Sequence, residues 1–169
     1  MDIAAADAVV LGIDPGLNIT GYGVLEVIGP RWHVVEAGVV RSRAKAPLDQ
    51  RLVEIHRGIT DVLHTFQPTV MALENLYSHY ERPQTAILMG HARGVICLAA
   101  AQCGVPIANY AATQVKKTLT GSGRAPKSQV QWAICREFDL TDIPEPPDVA
   151  DALAIALCHV HFSRVLSVR

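Results

Sequence analysis

Four carboxylates, Asp14, Glu74, Asp148 and Asp151, stand where a buried element ends or packs. Asp14 closes the apolar run AVVLGID (8–14) and Glu74 closes VMALE (70–74), so each acid follows residues that belong inside the protein. Asp148 and Asp151 are spaced i and i+3, which on a helix puts them on one face. Around Asp151 the sequence VADALAIALC is apolar on all sides, and no Lys or Arg lies between Glu137 and Phe162 to pair with it locally. A lone ionised carboxylate in such surroundings costs several kcal/mol unless it is paired or binds a metal. Clustered carboxylates suit hard divalent cations such as Mg²⁺, which keeps several waters and is shared between protein oxygens and phosphate. Two such ions ~4 Å apart activate a water and stabilise the leaving oxygen in phosphodiester hydrolysis.

Each acid also has a plainer reading. Asp14-Pro15-Gly16 is good turn chemistry. Asp148 suits the positive end of a helix, an effect under ~1 kcal/mol, and Glu74 at a strand end can reach solvent. The metal reading needs the strands ending in Asp14 and Glu74 to be neighbours. It also needs the last helix to deliver its aspartates to the same sheet edge.

The elements follow from punctuation and periodicity. The apolar run 8–14 reads as a buried strand, and 21–28 and 32–41, rich in Val, Ile, Tyr and Trp, complete an antiparallel meander turned at Gly29-Pro30. Leu48, Leu52, Ile55, Ile59, Val62 and Phe66 recur every three or four residues, one face of a helix over 48–66 that Pro68 stops. Strands are predicted at 70–74 and 105–110, and helices at 84–102, 112–119, 127–138 and from Pro147 to about 162, with a flexible loop at 120–126. Gly90 and Gly94, four apart, mark a strip where another backbone can approach. Three antiparallel strands followed by alternating helix and strand make a mixed α/β sheet covered by helices.

Composition sets outer bounds. The chain has 169 residues, 50% hydrophobic and 18% charged, with a formal charge of −1, which excludes a disordered chain and a wholly basic nucleic-acid tail. One domain over 1–169 fits that length. No apolar run approaches the ~20 residues of a membrane span, and the first basic residue is Arg31, unlike the charged start of a signal peptide. Cys97, Cys103, Cys135 and Cys158 form no CxxC pair and read as free thiols, and the expected location is cytoplasmic. The neutral total hides a segregation: residues 82–136 carry seven bases and no Asp or Glu, whereas 137–151 carry six acids and no base. A basic surface for a polyanion beside an acidic, cation-holding site accounts for this, as does ordinary scatter of surface charge.

The stretches LGIDPGLNITGYGV (11–24), FQPTVMALENLY (66–77), GHARGV (90–95), YAATQVKKTLTGSGRAPKSQVQ (110–131) and PDVADALAIALCH (147–159) closely resemble the RuvC family of Holliday-junction resolvases, in the family's order and over most of the chain. The resemblance implies an RNase H-like fold with a five-stranded mixed sheet flanked by helices, three strands antiparallel and the later ones parallel. It implies a homodimer that nicks opposing strands of a four-way DNA junction symmetrically, leaving 5′-phosphate and 3′-hydroxyl ends, in recombination and repair. Mg²⁺, with Mn²⁺ as substitute and two ions per site, would be the cofactor, and the branch-migration proteins RuvA and RuvB the partners.

Carried onto this chain, the resemblance makes Asp14, Glu74, Asp148 and Asp151 the metal-binding carboxylates, and Lys116 and Lys127 the basic residues needed for cleavage. Tyr77 falls where many relatives stack a Phe on bases near the crossover, a role a tyrosine ring serves equally well. Arg82, Lys117 and Arg124 join the two lysines as candidate DNA contacts. The helix with Gly90 and Gly94 resembles the family's dimer-forming helix. Residues 78–89, SHYERPQTAILM, depart from the Lys-Asn-rich segment of many relatives, and some relatives carry His where this chain has Asp148.

Other readings fare worse. ATP-binding folds of the actin and hexokinase kind open with a similar Gly-x-Asp-x-Gly turn but close two lobes on the nucleotide, and this chain supplies one. A non-catalytic junction binder gains nothing from four carboxylates facing phosphate. The smaller resolvase-like nucleases that act on RNA ends lack the segment from Lys116 to Lys127. His159 and His161, two apart, do not face one another on a helix and read as surface residues.

Overall fold

The computed structural model describes residues 7–76 and 82–167. Five strands form one sheet: β1 (Ala8–Asp14), β2 (Ile19–Ile28), β3 (Arg31–Arg41), β4 (Val70–Glu74) and β5 (Ile107–Tyr110). Their spatial order is β3-β2-β1-β4-β5, antiparallel across β3, β2 and β1 and parallel across β1, β4 and β5. This is the mixed, RNase H-like sheet that the sequence implies. The helices are α1 (Leu48–Phe66), α2 (Pro83–Gln102), α3 (Ala112–Thr120), α4 (Lys127–Glu137) and α5 (Pro147–Ser167).

Side chains alternate across β1 with the period of two that a strand imposes. Leu11 and Ile13 point into one core, packed with Ile55, Ile59 and Leu63 of α1 and Ala92 and Ile96 of α2. Val10 points into the other, built on α5 with Val130 and Ile134 of α4 and Val115 of α3. From Val149 to Val160, α5 is buried almost all round, because it is covered by the sheet on one side and by α3 and α4 on the other.

What lets α5 lie so close is glycine on the facing strands. A Cβ added at Gly12 would stand 2.2 Å from the Ala152 carbonyl oxygen and 2.7 Å from the Ala156 Cβ. One added at Gly21 would stand 2.0 Å from the Asp148 carbonyl oxygen. Only strands without side chains at these points admit the helix at this distance, and the first turn of α5 is thereby pressed onto β1 and β2.

Several boundaries differ from the sequence reading. β2 starts at Ile19, two residues early, because the hydroxyl of the buried Thr20 donates to the Gly16 carbonyl at 2.8 Å and ties strand to turn. β5 starts at Ile107 rather than 105. Pro106 has no N–H for the ladder, although its carbonyl still accepts from Met71 at 2.9 Å. Helix α5 runs on past 162, and Arg164 anchors its end by stacking 4.1 Å over the Trp32 ring and donating to the Gly29 carbonyl at 2.8 Å. The loop expected to be flexible is pinned by the buried Ala125. All four cysteines are free. Among the described residues no helix is long and apolar enough to cross a membrane.

Candidate active site

Strand register places the first two carboxylates. Ile13 pairs with Leu73 across the parallel β1–β4 ladder, so Asp14 and Glu74, one residue on, close adjacent strands at one level. This is the carboxyl end of the parallel strands, where open α/β sheets build their sites. Asp14 has the parity of Val10 and Gly12 and so lies on the α5 face. The close approach at Gly21 then sets the start of α5, with Asp148 and Asp151, over the same edge.

Asp14, Glu74 and Asp151 line one cavity of about 180 Å³ with Lys116 and Lys127, over an apolar floor that includes Val115, Val130 and Ile155. Asp148 stands outside the lining, but its charge is felt by both Asp14 and Lys127. Burial raises the Asp14 pKa to about 8, with further contributions from the charges of Asp151, Glu74 and Asp148 and a partial offset from Lys127. Glu74 is raised for the same reasons, burial first and then Asp151, against the lowering influence of Lys116 and Lys127. The site is thus a pocket of crowded negative charge that a bound cation would relieve.

Lys127 already relieves part of it. Its Nζ lies 2.7 Å from Asp151 Oδ2, which answers the missing local partner: the cation comes from α4, far away in sequence. A lysine at a helix N-terminus is opposed by the helix dipole, so the carboxylates, not the helix, hold it there. Desolvation would lower the Lys127 pKa, but the bond to Asp151 and the charges of Asp151, Asp14 and Asp148 outweigh it and push it above the usual lysine value. The pair is open to solvent on the lysine side and adds no more than about 1 kcal/mol by itself. Among the described residues no three His, Cys, Asp or Glu side chains already form a coordination shell; the ammonium sits among the carboxylates instead.

The remaining sequence candidates separate. Lys117 and Arg124 are exposed and outside the cavity lining, and Arg82 is exposed at the start of α2. Tyr77 lies outside the described residues. His159 is not a surface residue: it is half-buried, and its Nδ1 lies 2.8 Å from the Tyr110 hydroxyl, because the later turns of α5 pack on β5. Two kinds of residue escaped the sequence reading. One is the pair Gly12 and Gly21, whose signal was the small residues on both sides of the contact, the glycines of LGID and GYG facing DVADALAIA. The other is Arg93 within GHARGV, which bonds the Glu74 main chain.

Comparison with known proteins agrees with this fold. Residues 10–159 match the family model described as crossover junction endodeoxyribonuclease RuvC. The crossover junction endodeoxyribonuclease RuvC of Rhodopirellula baltica is 59% identical over 149 residues, covering 88% of this chain and 84% of that one. The structure of Thermus thermophilus RuvC in complex with a Holliday junction substrate superposes with a TM-score of 0.86 at 36% identity, over 94% of this chain and 96% of that one. A yeast mitochondrial Holliday junction resolvase shares the fold, with a TM-score of 0.63 at 11% identity over 88% of this chain and 77% of that one.

Proposed function

The chain belongs to the RuvC family of crossover junction endodeoxyribonucleases, and from that premise we propose that it resolves four-way DNA junctions by symmetric, metal-dependent phosphodiester hydrolysis. The observation that carries the reading is the convergence of Asp14, Glu74 and Asp151 with Lys116 and Lys127 on one cavity at the carboxyl edge of the sheet. One domain over 1–169 does this work, leaving 5′-phosphate and 3′-hydroxyl ends during recombination and repair in the cytoplasm.

The donor set fits a hard divalent cation, since it consists of carboxylate oxygens whose burial and, after it, mutual repulsion raise the pKa of Asp14 and Glu74. Asp14, Glu74, Asp148 and Asp151 would hold Mg²⁺, or Mn²⁺ in its place, as two ions. Bound there, the metal supplies an activated water and stabilises the charge that develops on the leaving oxygen. The protein's own residues do the rest. Lys127, kept protonated by its carboxylate neighbours, presents a cation to the scissile phosphate and has a proton to give to the leaving 3′-oxygen. Lys116, across the same cavity, neutralises a neighbouring phosphate oxygen. Arg82, Lys117 and Arg124, exposed and outside the cavity lining, serve as contacts to the DNA backbone, where cations give salt-dependent affinity, and Tyr77 is the proposed stacking contact to bases.

Two active sites must face opposed strands, which calls for a homodimer. The exposed face of α2 supports that arrangement: Ile87, Gly90, Gly94 and Leu98 fall on one stripe, with both large side chains exposed. RuvA and RuvB are the proposed partners that bring junctions to the dimer. The decisive experiment is nicking of a labelled four-way junction and a matched linear duplex with Mg²⁺, with Mn²⁺ and with chelator, alongside Asp151→Asn. Paired metal-dependent nicks in the junction alone, lost in the variant, are expected. Tight binding without cleavage under every condition would favour a binding module instead.

A further inference from the structure

Arg93 has no place in the cavity, yet it is the side chain that touches Glu74 from behind. Its Nε donates to the Glu74 main-chain carbonyl at 3.2 Å, and its Nη2 donates to Asn109 Oδ1 on β5. One guanidinium therefore joins α2 to the last residue of β4 and to the neighbouring strand. Just beyond, the Asn75 N–H donates to the Tyr110 carbonyl at 2.8 Å, so the peptide that follows Glu74 is held by β5 and its carbonyl by α2. The donors of a guanidinium diverge in a fixed plane. Two acceptors thus fix the arginine, and the arginine fixes the peptide.

This matters because Glu74 is the final residue of β4, where the ladder gives out after the single bond from Asn75 to Tyr110. The charges felt by its carboxyl are those of Asp151, Lys116 and Lys127, so Arg93 acts on it through the backbone and not as a counter-ion. Arg93 also lines a second cavity, of about 350 Å³, with Asn75, Leu76, Gly90 and Gly94. The arginine therefore stands between the bare glycine face of α2 and the carboxylate.

We propose that Arg93 is a positioning residue for Glu74: with Asn109 as its second anchor, it transmits the placement of α2 to the carboxylate that faces the cleavage site. The activity readout rests on the resolvase reading above, and the metal-binding readout only on the carboxylate site proposed with it. A displacement on the order of 1 Å at such a group costs up to about a hundredfold in rate.

The test compares Arg93→Gln, Arg93→Lys, Asn109→Ala and the double variant Arg93→Gln/Asn109→Ala. Arg93→Gln and Asn109→Ala should each lower kcat for junction nicking about tenfold or more, with KM, the sedimentation coefficient and the junction Kd within about twofold of wild type. The double variant should be no worse than Arg93→Gln, since both changes undo one bridge. Arg93→Lys, which keeps one donor arm, should recover part of the loss. Mn²⁺ affinity, followed by electron paramagnetic resonance, should fall in the same order. Wild-type kcat and Mn²⁺ affinity in Arg93→Gln would overturn the proposal. So would a loss confined to KM and self-association, which would make Arg93 a dimer contact. If the wild-type protein nicks no junction, the resolvase reading fails, and the Mn²⁺ titration of Asn109→Ala still decides the role of Arg93.

Discussion

Two glycine pairs meet opposite surroundings in this molecule. Gly12 and Gly21 lie under α5, where an added Cβ would fall within 2.2 Å of a backbone oxygen. Gly90 and Gly94 lie on α2, where an added Cβ would meet nothing within 4 Å among the described residues. In the first place the close approach is completed inside the chain, and it seats Asp148 and Asp151 over Asp14. In the second place no close approach is made among the described residues. The same residue type thus shapes the candidate active site in one region and, on the proposed reading, offers a surface to a second copy in the other. Crowding makes the first region sensitive in fold and chemistry together, whereas openness leaves the second tolerant in the monomer and, on the proposed reading, sensitive in assembly.

The largest expected effect lies at the crowded edge. Asp14→Asn should reduce nicking by at least about a hundred- to a thousandfold while preserving or strengthening junction binding, because repulsion of phosphate falls. Cleavage at the wild-type rate would remove the metal-site reading. The same variant has a pH signature. In the folded, metal-free protein Asp14 keeps its proton up to about pH 8, whereas the unfolded chain releases it near the ordinary value of 3.8. The folded state binds more protons throughout that window, so stability falls as pH rises through it. In chelator, Asp14→Asn should therefore melt above wild type at pH 8 and converge with it toward pH 4; parallel melting curves at both pH values would contradict the burial of this charge.

The carboxylates were legible in the sequence because each closes a locally recognisable run: AVVLGID, VMALE and the apolar helix around Asp151. Helix α1 was legible for the same reason, its stripe from Leu48 to Phe66 being a local period. The ion pair of Lys127 with Asp151 was not, because its two members meet only when α4 packs on α5. Nor was the end of α5 legible, since it is fixed by Trp32 and Gly29 at the opposite end of the chain. Arg93 and the crowded glycines belong to the same class. Their roles depend on which backbone arrives from elsewhere, and GYG beside ADALA announces small residues without saying that they meet.

Gly12→Ala probes that contact directly. The atom in the way is a helix carbonyl, which cannot rotate aside as a side chain can, so α5 must lift. A cost of about 3 kcal/mol is expected, or a fall in melting temperature of roughly 6–12 °C for a chain of this size. Cleavage should fall further than stability explains, because Asp148 and Asp151 move with the helix. Full activity with an unchanged melting temperature would show that the close approach is dispensable, and the contrast between the two glycine pairs would collapse.

The smallest effect is expected on α2, and there two contributions oppose one another. Among the described residues Gly94→Ala meets open space and removes a helix-interior glycine, a gain of up to about 1 kcal/mol in the monomer. If a second copy's backbone comes close at this stripe, the added methyl must weaken that approach. Melting measured across protein concentration separates the two: the variant should melt slightly above wild type when dilute and lose that advantage as concentration rises, while wild type gains stability by mass action. Gly90→Leu, with a larger side chain on the same stripe, should shift sedimentation toward the monomer outright. A constant advantage for Gly94→Ala at every concentration, with an unaltered dimer in Gly90→Leu, would move the dimer surface off α2. The bridge from Arg93 to Glu74 would then join the strands within one subunit, with no neighbouring copy to sense.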